Sequence, residues 1–313
     1  MAVPADARQW HVGLVGYGEV GRILAEDLRA QGLLVSAFDS TLTVSGLAAD
    51  QMHAHADRHG VGLVGSHAGL ATAADFVVSA VTASQAVAVA EACAPGLNAG
   101  AFFLDVNSAS PGAKGRAAAI VDTAGGRYVE GAVMTSVPPY RLRVPLLLGG
   151  PHAEALLPGL EAIGFAPRVA SATVGVASAT KMCRSVMIKG LEAMVIESFT
   201  AARAYGVEDQ VVASLVETFP GIDWERQATY FFQRAIQHGR RRAEEVREVA
   251  VTVREAGLDP WSASGTAARQ AWVADLADTG LFGPRDAART DWRVEADRML
   301  GAIETRRGAK IAR

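Results

Sequence analysis

Residues 11–32 read H-V-G-L-V-G-Y-G-E-V-G-R-I-L-A-E-D-L-R-A-Q-G. His11 to Val15 is a short apolar run that stops at Gly16, and the apolar residues then recur as Val20, Leu24 and Leu28 before Gly32. That change of period predicts a strand, a tight turn and a helix. At the junction Gly16, Gly18 and Gly21 form G-x-G-x-x-G, which in this context is a dinucleotide fingerprint. One glycine permits the turn, one lets backbone approach a pyrophosphate, and one lets helix and strand pack closely, while the helix N-terminus offers amide donors to the anion. Tyr17, Glu19 and Val20, inside the same turn, are taken with the three glycines as cofactor-binding positions.

Eighteen residues after Gly21, at the end of the next strand-like run, stands Asp39. A carboxylate there accepts hydrogen bonds from ribose hydroxyls and repels a 2′-phosphate. No Arg or Lys occurs from Ser40 to Asp57, Arg58 being the first. The expected cofactor is therefore NAD, with NADP the less favoured choice. Further strand-like runs are Leu33 to Phe38, Phe76 to Val81, Ala101 to Val106, Tyr128 to Val133 and Val144 to Leu148. Val81 and Thr82, where the second of these ends, are counted with the cofactor site. Strands alternating with helix-length intervals predict a Rossmann domain with a mostly parallel sheet covered on both faces. After about Ser171 the chain becomes helix-rich, so residues 1–172 are expected to form the dinucleotide-binding domain and 173–313 an all-α domain. Apolar residues occur on nearly all sides of Val176 to Tyr205, which predicts a buried helix.

Composition narrows the partners. The 313 residues are half apolar and one-fifth charged, with a net charge of −3, so no basic surface for a nucleic-acid backbone is indicated. Phe76 to Leu104 carries a single charge, Glu91, but Pro95, Gly96 and Gly100 interrupt it, which argues for strands and a helix rather than a membrane span. Two cysteines, Cys93 and Cys183, make neither a disulfide framework nor a thiolate metal site. With no signal-like N-terminus, the expected location is the cytoplasm. His55 and His59 have the i, i+4 spacing of a metal pair, but Ala56 stands where an H-E-x-x-H site needs its glutamate and no third ligand is evident, so no metal is expected. Trp224, Tyr230, Phe231 and Phe232 read as core or interface.

Gly16 to Gly32 closely resembles the opening signature of the β-hydroxyacid dehydrogenases, which include 3-hydroxyisobutyrate and 6-phosphogluconate dehydrogenases. Three further blocks follow in that family's order. Asp105 to Pro111, D-V-N-S-A-S-P, resembles the substrate-binding block, and the resemblance gives Ser108 the substrate carboxylate. A turn capping a helix explains the same residue types. Glu130 to Ser136, E-G-A-V-M-T-S, stands where the family has D-A-P-V-S-G-G, so Thr135 and Ser136 replace two glycines and narrow the substrate site or add hydroxyl donors. Gly175 to Ser185 resembles the central-helix block carrying the catalytic lysine, here Lys181, with Ser185 in place of the usual Asn.

Lysine is scarce, four against twenty-six arginines, yet Lys181 and Lys189 share this helix. An ammonium can surrender a proton near neutral pH when buried or crowded by positive charge, whereas a guanidinium cannot. Lys189 lies about 12 Å further along the axis; it is a secondary substrate-binding candidate or a structural ion pair. The C-terminal third departs most from the family. Glu244 and Glu245 stand where many members have Lys-Asp, and Arg240 to Arg242 either replace that cation or pair as Arg240–Glu244 and Arg241–Glu245. The resemblance implies a divergent phosphogluconate-dehydrogenase-like branch that dimerises through its C-terminal helices. The expected function is hydride transfer between nicotinamide and a small hydroxy or oxo acid. A carbonyl or imine reductase and a non-catalytic NAD-binding sensor remain as alternatives.

Overall fold

The computed structural model describes residues 3–283 and 291–311. Its elements are β1 (His11–Val15), α1 (Glu19–Ala30), β2 (Leu34–Phe38), α2 (Leu47–His59), β3 (Gly62–Leu63), α3 (His67–Ala73), β4 (Phe76–Ser79), α4 (Ala86–Cys93), β5 (Phe102–Asp105), α5 (Pro111–Thr123), β6 (Arg127–Val133), β7 (Pro145–Gly149), α6 (Ala153–Ala162) and β8 (Ala166–Ser171), then α7 (Val176–Tyr205), α8 (Glu208–Thr218), α9 (Trp224–Glu255), α10 (Trp261–Asp278) and α11 (Trp292–Ile311). Contacts divide the chain into two compact units, one ending at Met182 and the other beginning at Cys183. Among the described residues no helix is long and apolar enough to cross a membrane.

The first unit is an α/β layer structure on one eight-stranded sheet, in the order β3-β2-β1-β4-β5-β6-β7-β8. Every pairing is parallel except β6 with β7. The order in which successive strands are added across the sheet reverses between β1 and β4, the switch point at which doubly wound sheets open a crevice beyond their carboxyl ends. Register brings Val15, Ser79, Asp105, Glu130 and Gly149 to one level across five strands. Period-two alternation sorts the side chains cleanly. Val12, Leu14, Phe76, Val78, Phe102, Leu104 and Val129 enter one core, and Val15, Val77, Phe103 and Tyr128 enter the other. Both faces are therefore covered, as a parallel sheet requires.

Helix α1 buries Gly21, Leu24, Ala25 and Leu28 on one stripe. Full burial of each leucine contributes roughly 1.5–3 kcal/mol. Its end is closed by Gly32, at φ +87°, whose N–H donates to the Arg29 carbonyl at 2.9 Å while Leu33 N–H donates to that of Leu28 at 3.1 Å. These two bonds satisfy carbonyls that the last turn leaves open.

The second unit is all helical and has its own core, built on Ile196, Phe199, Phe232, Ala235, Val273, Trp292 and Met299. Trp224, Phe231 and Phe232 are buried in it, whereas Tyr230 is partly exposed. The expectation of an all-round buried α7 is corrected here: Met187, Ile188 and Met194 stand exposed on the single chain, at 70%, 43% and 61%. An apolar count around a helix registers residue type and not what covers it.

Candidate active site

The glycine turn joins β1 to α1. Gly16 has φ +91°, and a Cβ there would lie 2.4 Å from the Ala80 carbonyl oxygen. A Cβ on Gly21 would lie 2.0 Å from the Gly16 oxygen, so the helix start touches the turn backbone directly. A Cβ on Gly18 would meet nothing within 4 Å. The space above Gly18 is open in front of the first-turn amides of α1, the position that suits a pyrophosphate. Asp39 closes the turn from the side. Its Oδ2 accepts from Tyr17 N–H at 2.8 Å and its Oδ1 from Thr41 N–H at 2.9 Å. A carboxylate has about four acceptor sites, so capacity for ribose hydroxyls is left. These residues fit a bound dinucleotide.

Tyr17 has no exposed surface. Its hydroxyl is 2.8 Å from His55 Nδ1, and His55 Nε2 is 3.0 Å from Glu26 Oε1. Burial pushes the phenol up to about 12. Glu26 Oε2 accepts from Arg141 at 2.6 Å, and the same guanidinium holds Asp27. His55 and Arg141 together hold the Glu26 carboxyl below its ordinary range. The Tyr17 side chain thus braces the turn from beneath. Glu26, His55 and His59 offer ligand atoms within 4.8 Å of one another. Glu26 is the third potential metal ligand that the helical spacing of the histidines did not reveal, and hydrogen bonding already engages both His55 nitrogens. Glu19 is exposed at the head of α1 and Val20 is half-buried. Val81 N–H donates to Asn107 Oδ1 at 2.6 Å, and Thr82 is exposed beside it.

Beyond β5 the chain is locked by a buried polar network. Asp105, fully buried, pairs with Lys114 at 2.9 Å, accepts from Tyr128 Oη at 2.9 Å and from Asn107 N–H at 2.9 Å. Asn107 also donates to Ser79 Oγ at 2.9 Å. Ser110 caps α5 through Ala113 N–H at 3.3 Å, with Pro111 in the first helical turn. Ser108 is fixed between these anchors.

The start of α7 is held from β6. Glu130, with no exposed surface, accepts from Ala177 N–H at 2.7 Å and from Ser178 Oγ at 3.1 Å. A carboxylate at a helix N-terminus satisfies orphan amides and opposes the positive end of the macrodipole. Lys181 follows within the next turn, half-buried, and its Nζ donates to Ser108 Oγ at 2.7 Å. Two residues that the sequence named, seventy-three positions apart, therefore meet. Thr135 and Ser136 stand exposed on the loop after β6 and make no side-chain hydrogen bond to either among the described residues.

In the second unit Ser185 is buried. Lys189 pairs with Glu245 at 2.6 Å, and burial pushes its ammonium below the usual lysine range despite that carboxylate. Arg241 reaches the other Glu245 oxygen at 2.7 Å, the expected i, i+4 pair. The Arg240–Glu244 alternative does not form: Arg240 is drawn across to Asp275 and Asp278 on α10, at 2.8 and 2.6 Å. Arg242 is buried against Glu192.

A glycine turn at the switch point, a carboxylate at the end of β2 and a capped helix bearing a lysine define the class of NAD(P)-binding oxidoreductase folds. Residues 11–164 match the NAD binding domain of 6-phosphogluconate dehydrogenase, and residues 202–273 match a domain of unknown function, DUF1932. The chain belongs to the β-hydroxyacid dehydrogenase family. A conserved hypothetical protein from Sinorhizobium meliloti 1021 is 34% identical, over 92% of this chain and 96% of that one, with a TM-score of 0.74. A second solved structure, of a conserved protein of unknown function with structural similarity to 3-hydroxyacid dehydrogenases, is 27% identical over 89% of this chain and 100% of that one, at a TM-score of 0.67. The mitochondrial 3-hydroxyisobutyrate dehydrogenase of Drosophila melanogaster is 26% identical over 221 residues, 68% of this chain and 65% of that protein.

Proposed function

We propose that the chain is an NAD-preferring dehydrogenase of a small hydroxy acid, with Lys181 exchanging the hydroxyl proton. The observation that carries this reading is the Lys181–Ser108 hydrogen bond, held between a helix cap and a buried network. A bound nicotinamide supplies the hydride acceptor or donor. The Lys181 ammonium, seated one turn into α7, is a proton carrier of the kind general acid–base catalysis needs, and Ser108 Oγ beside it orients an oxygen of the acid. Asp39 favours ribose hydroxyls over a 2′-phosphate, which is the basis of the NAD preference. Exposed Met187, Ile188 and Met194 support a homodimer formed through the helical unit.

Titration of the purified protein with NAD and NADP, followed by a screen of β-hydroxy acids for reduced-nicotinamide absorbance, tests the reading. Expected are tighter NAD binding and turnover that disappears in Lys181→Met. NAD binding without turnover on any acid, ketone or imine would leave a sensor, and binding of neither nucleotide would overturn the reading altogether.

A further inference from the structure

The second unit holds a charged group that the dehydrogenase reading leaves unused. Over three turns α9 carries Arg234, His238, Arg241, Arg242 and Glu245, and α7 contributes Lys189 and Glu192. Glu245 uses both of its oxygens, whereas Glu192 takes two partners on the single oxygen Oε2. Glu245 takes Lys189 at 2.6 Å and Arg241 at 2.7 Å, and Glu192 takes Arg242 and, at 3.2 Å, Gln270. Arg234 has no ion pair among the described residues, and its closest aromatic company is the Tyr230 ring at 6.0 Å. Its Nε is buried without an acceptor. Arg242, only 5% exposed, also has an Nε without an acceptor.

Positive charge in excess of its carboxylates, half-buried or buried, is costly unless an anion completes it. The strain registers on the neighbours. Burial and Arg242 push the Arg234 guanidinium below its ordinary range, and burial with Arg234, Arg241 and Arg242 pushes His238 down to about 4. His238, Arg240 and Arg241 line a cavity of about 180 Å³ against Ala274 of α10, which opens the His238 side of the group to solvent, one turn from Arg234 and Arg242 along α9. Guanidinium forks match planar and tetrahedral oxyanions, giving two parallel N–H donors to one group.

We infer that Arg234 and Arg242, with neutral His238 beside them, form a binding site for a small oxyanion of the carboxylate or phosphate-monoester class. Such an anion has two possible sources, the acidic end of the oxidoreductase substrate or a separate effector. Binding itself does not depend on the dehydrogenase reading.

The test titrates inorganic phosphate into the full-length protein at fixed ionic strength, by calorimetry, for wild type, Arg234→Gln and Arg293→Gln. Saturable binding is expected in the wild type, weakened about tenfold or more in Arg234→Gln. Binding should be unchanged in Arg293→Gln, because Asp209 and Glu225 already satisfy that guanidinium and it does not line the cavity. Since Arg234 makes no ion pair among the described residues, Arg234→Gln should melt in chloride at about the wild-type temperature, which separates lost binding from lost folding. No saturable binding at millimolar phosphate, or equal binding in wild type and Arg234→Gln, overturns the inference. A turnover assay then distinguishes the sources: phosphate competing with the substrate marks its acidic end, and non-competitive inhibition or activation marks an effector. A protein that binds phosphate but turns nothing over would retain this site and lose only the dehydrogenase reading.

Discussion

Lys181 Nζ donates to Ser108 Oγ at 2.7 Å, across seventy-three residues of chain. Each partner is held by a different device, Lys181 by the Glu130 cap on α7 and Ser108 by the Asp105 and Asn107 network after β5. If Lys181 moves the proton, Lys181→Met should lower kcat by about 10²–10⁴-fold. NAD affinity should be unchanged. Steady-state kinetics alongside a binding titration checks this, and full turnover in the variant would sink the role.

Gly18 and Gly21 make opposite predictions from the same turn. A Cβ on Gly21 would fall 2.0 Å from the Gly16 oxygen, so Gly21→Ala should destabilise the first unit and lose dinucleotide binding together. A Cβ on Gly18 has no protein atom within 4 Å, so Gly18→Ala should melt like the wild type yet bind NAD more weakly. Melting curves paired with NAD titrations separate the two. A Gly18→Ala protein that binds NAD normally would remove the pyrophosphate from that space.

Glu130 serves Ala177 N–H and Ser178 Oγ from a fully buried position. Glu130→Ala leaves that amide without its acceptor, at a cost of about 1–3 kcal/mol. Denaturant unfolding should register the loss, and turnover should fall because the start of α7 carries Lys181. Glu130→Gln keeps an acceptor for Ala177 and should recover most of the stability.

Where local pattern is strong, the chain itself discloses the fold. Residues 11–38 switch from strand to helix and back with clear period, and β1, α1 and β2 follow. Two strands escaped. β3 is two residues long, and β8, A-P-R-V-A-S at the sheet edge, contains Pro167 and Arg168, which break any apolar alternation. The β7 strand was legible but its direction was not; a connection from Val133 to Pro145 without an α-helix permits the antiparallel pairing that a parallel crossover would not. At the site, Lys181 and Ser108 stand out in motif blocks. Asp105 and Asn107 lie in the Ser108 block and Glu130 opens the block between, but they acquire their partners only in the folded chain, through a register that sets Ser79 beside Asp105 and Asp105 beside Glu130 and through the helices α5 and α7 packed at the strand ends. An acid within the apolar run Tyr128 to Val133 is the signal that could have pointed to Glu130. Glu26 meets His55 only when α1 and α2 pack, which no helical spacing encodes.

His238 gives the helical unit a defined response to acid. Burial, then Arg234, Arg241 and Arg242, lower its pKa from 6.5 to about 4, with Glu245 opposing. Between those values the unfolded chain binds a proton that the folded chain refuses, so folding loses stability as the pH falls. The contribution is complete above pH 6.5 and is lost progressively down to about 4. His238→Gln removes the titrating group and should flatten the fall in Tm across that window without changing Tm at pH 8. Because the ring is partly exposed, solvent screening keeps the effect modest. Differential scanning calorimetry at pH 8, 6 and 4.5 on both proteins measures it, and parallel pH profiles would show that His238 titrates normally in the folded state.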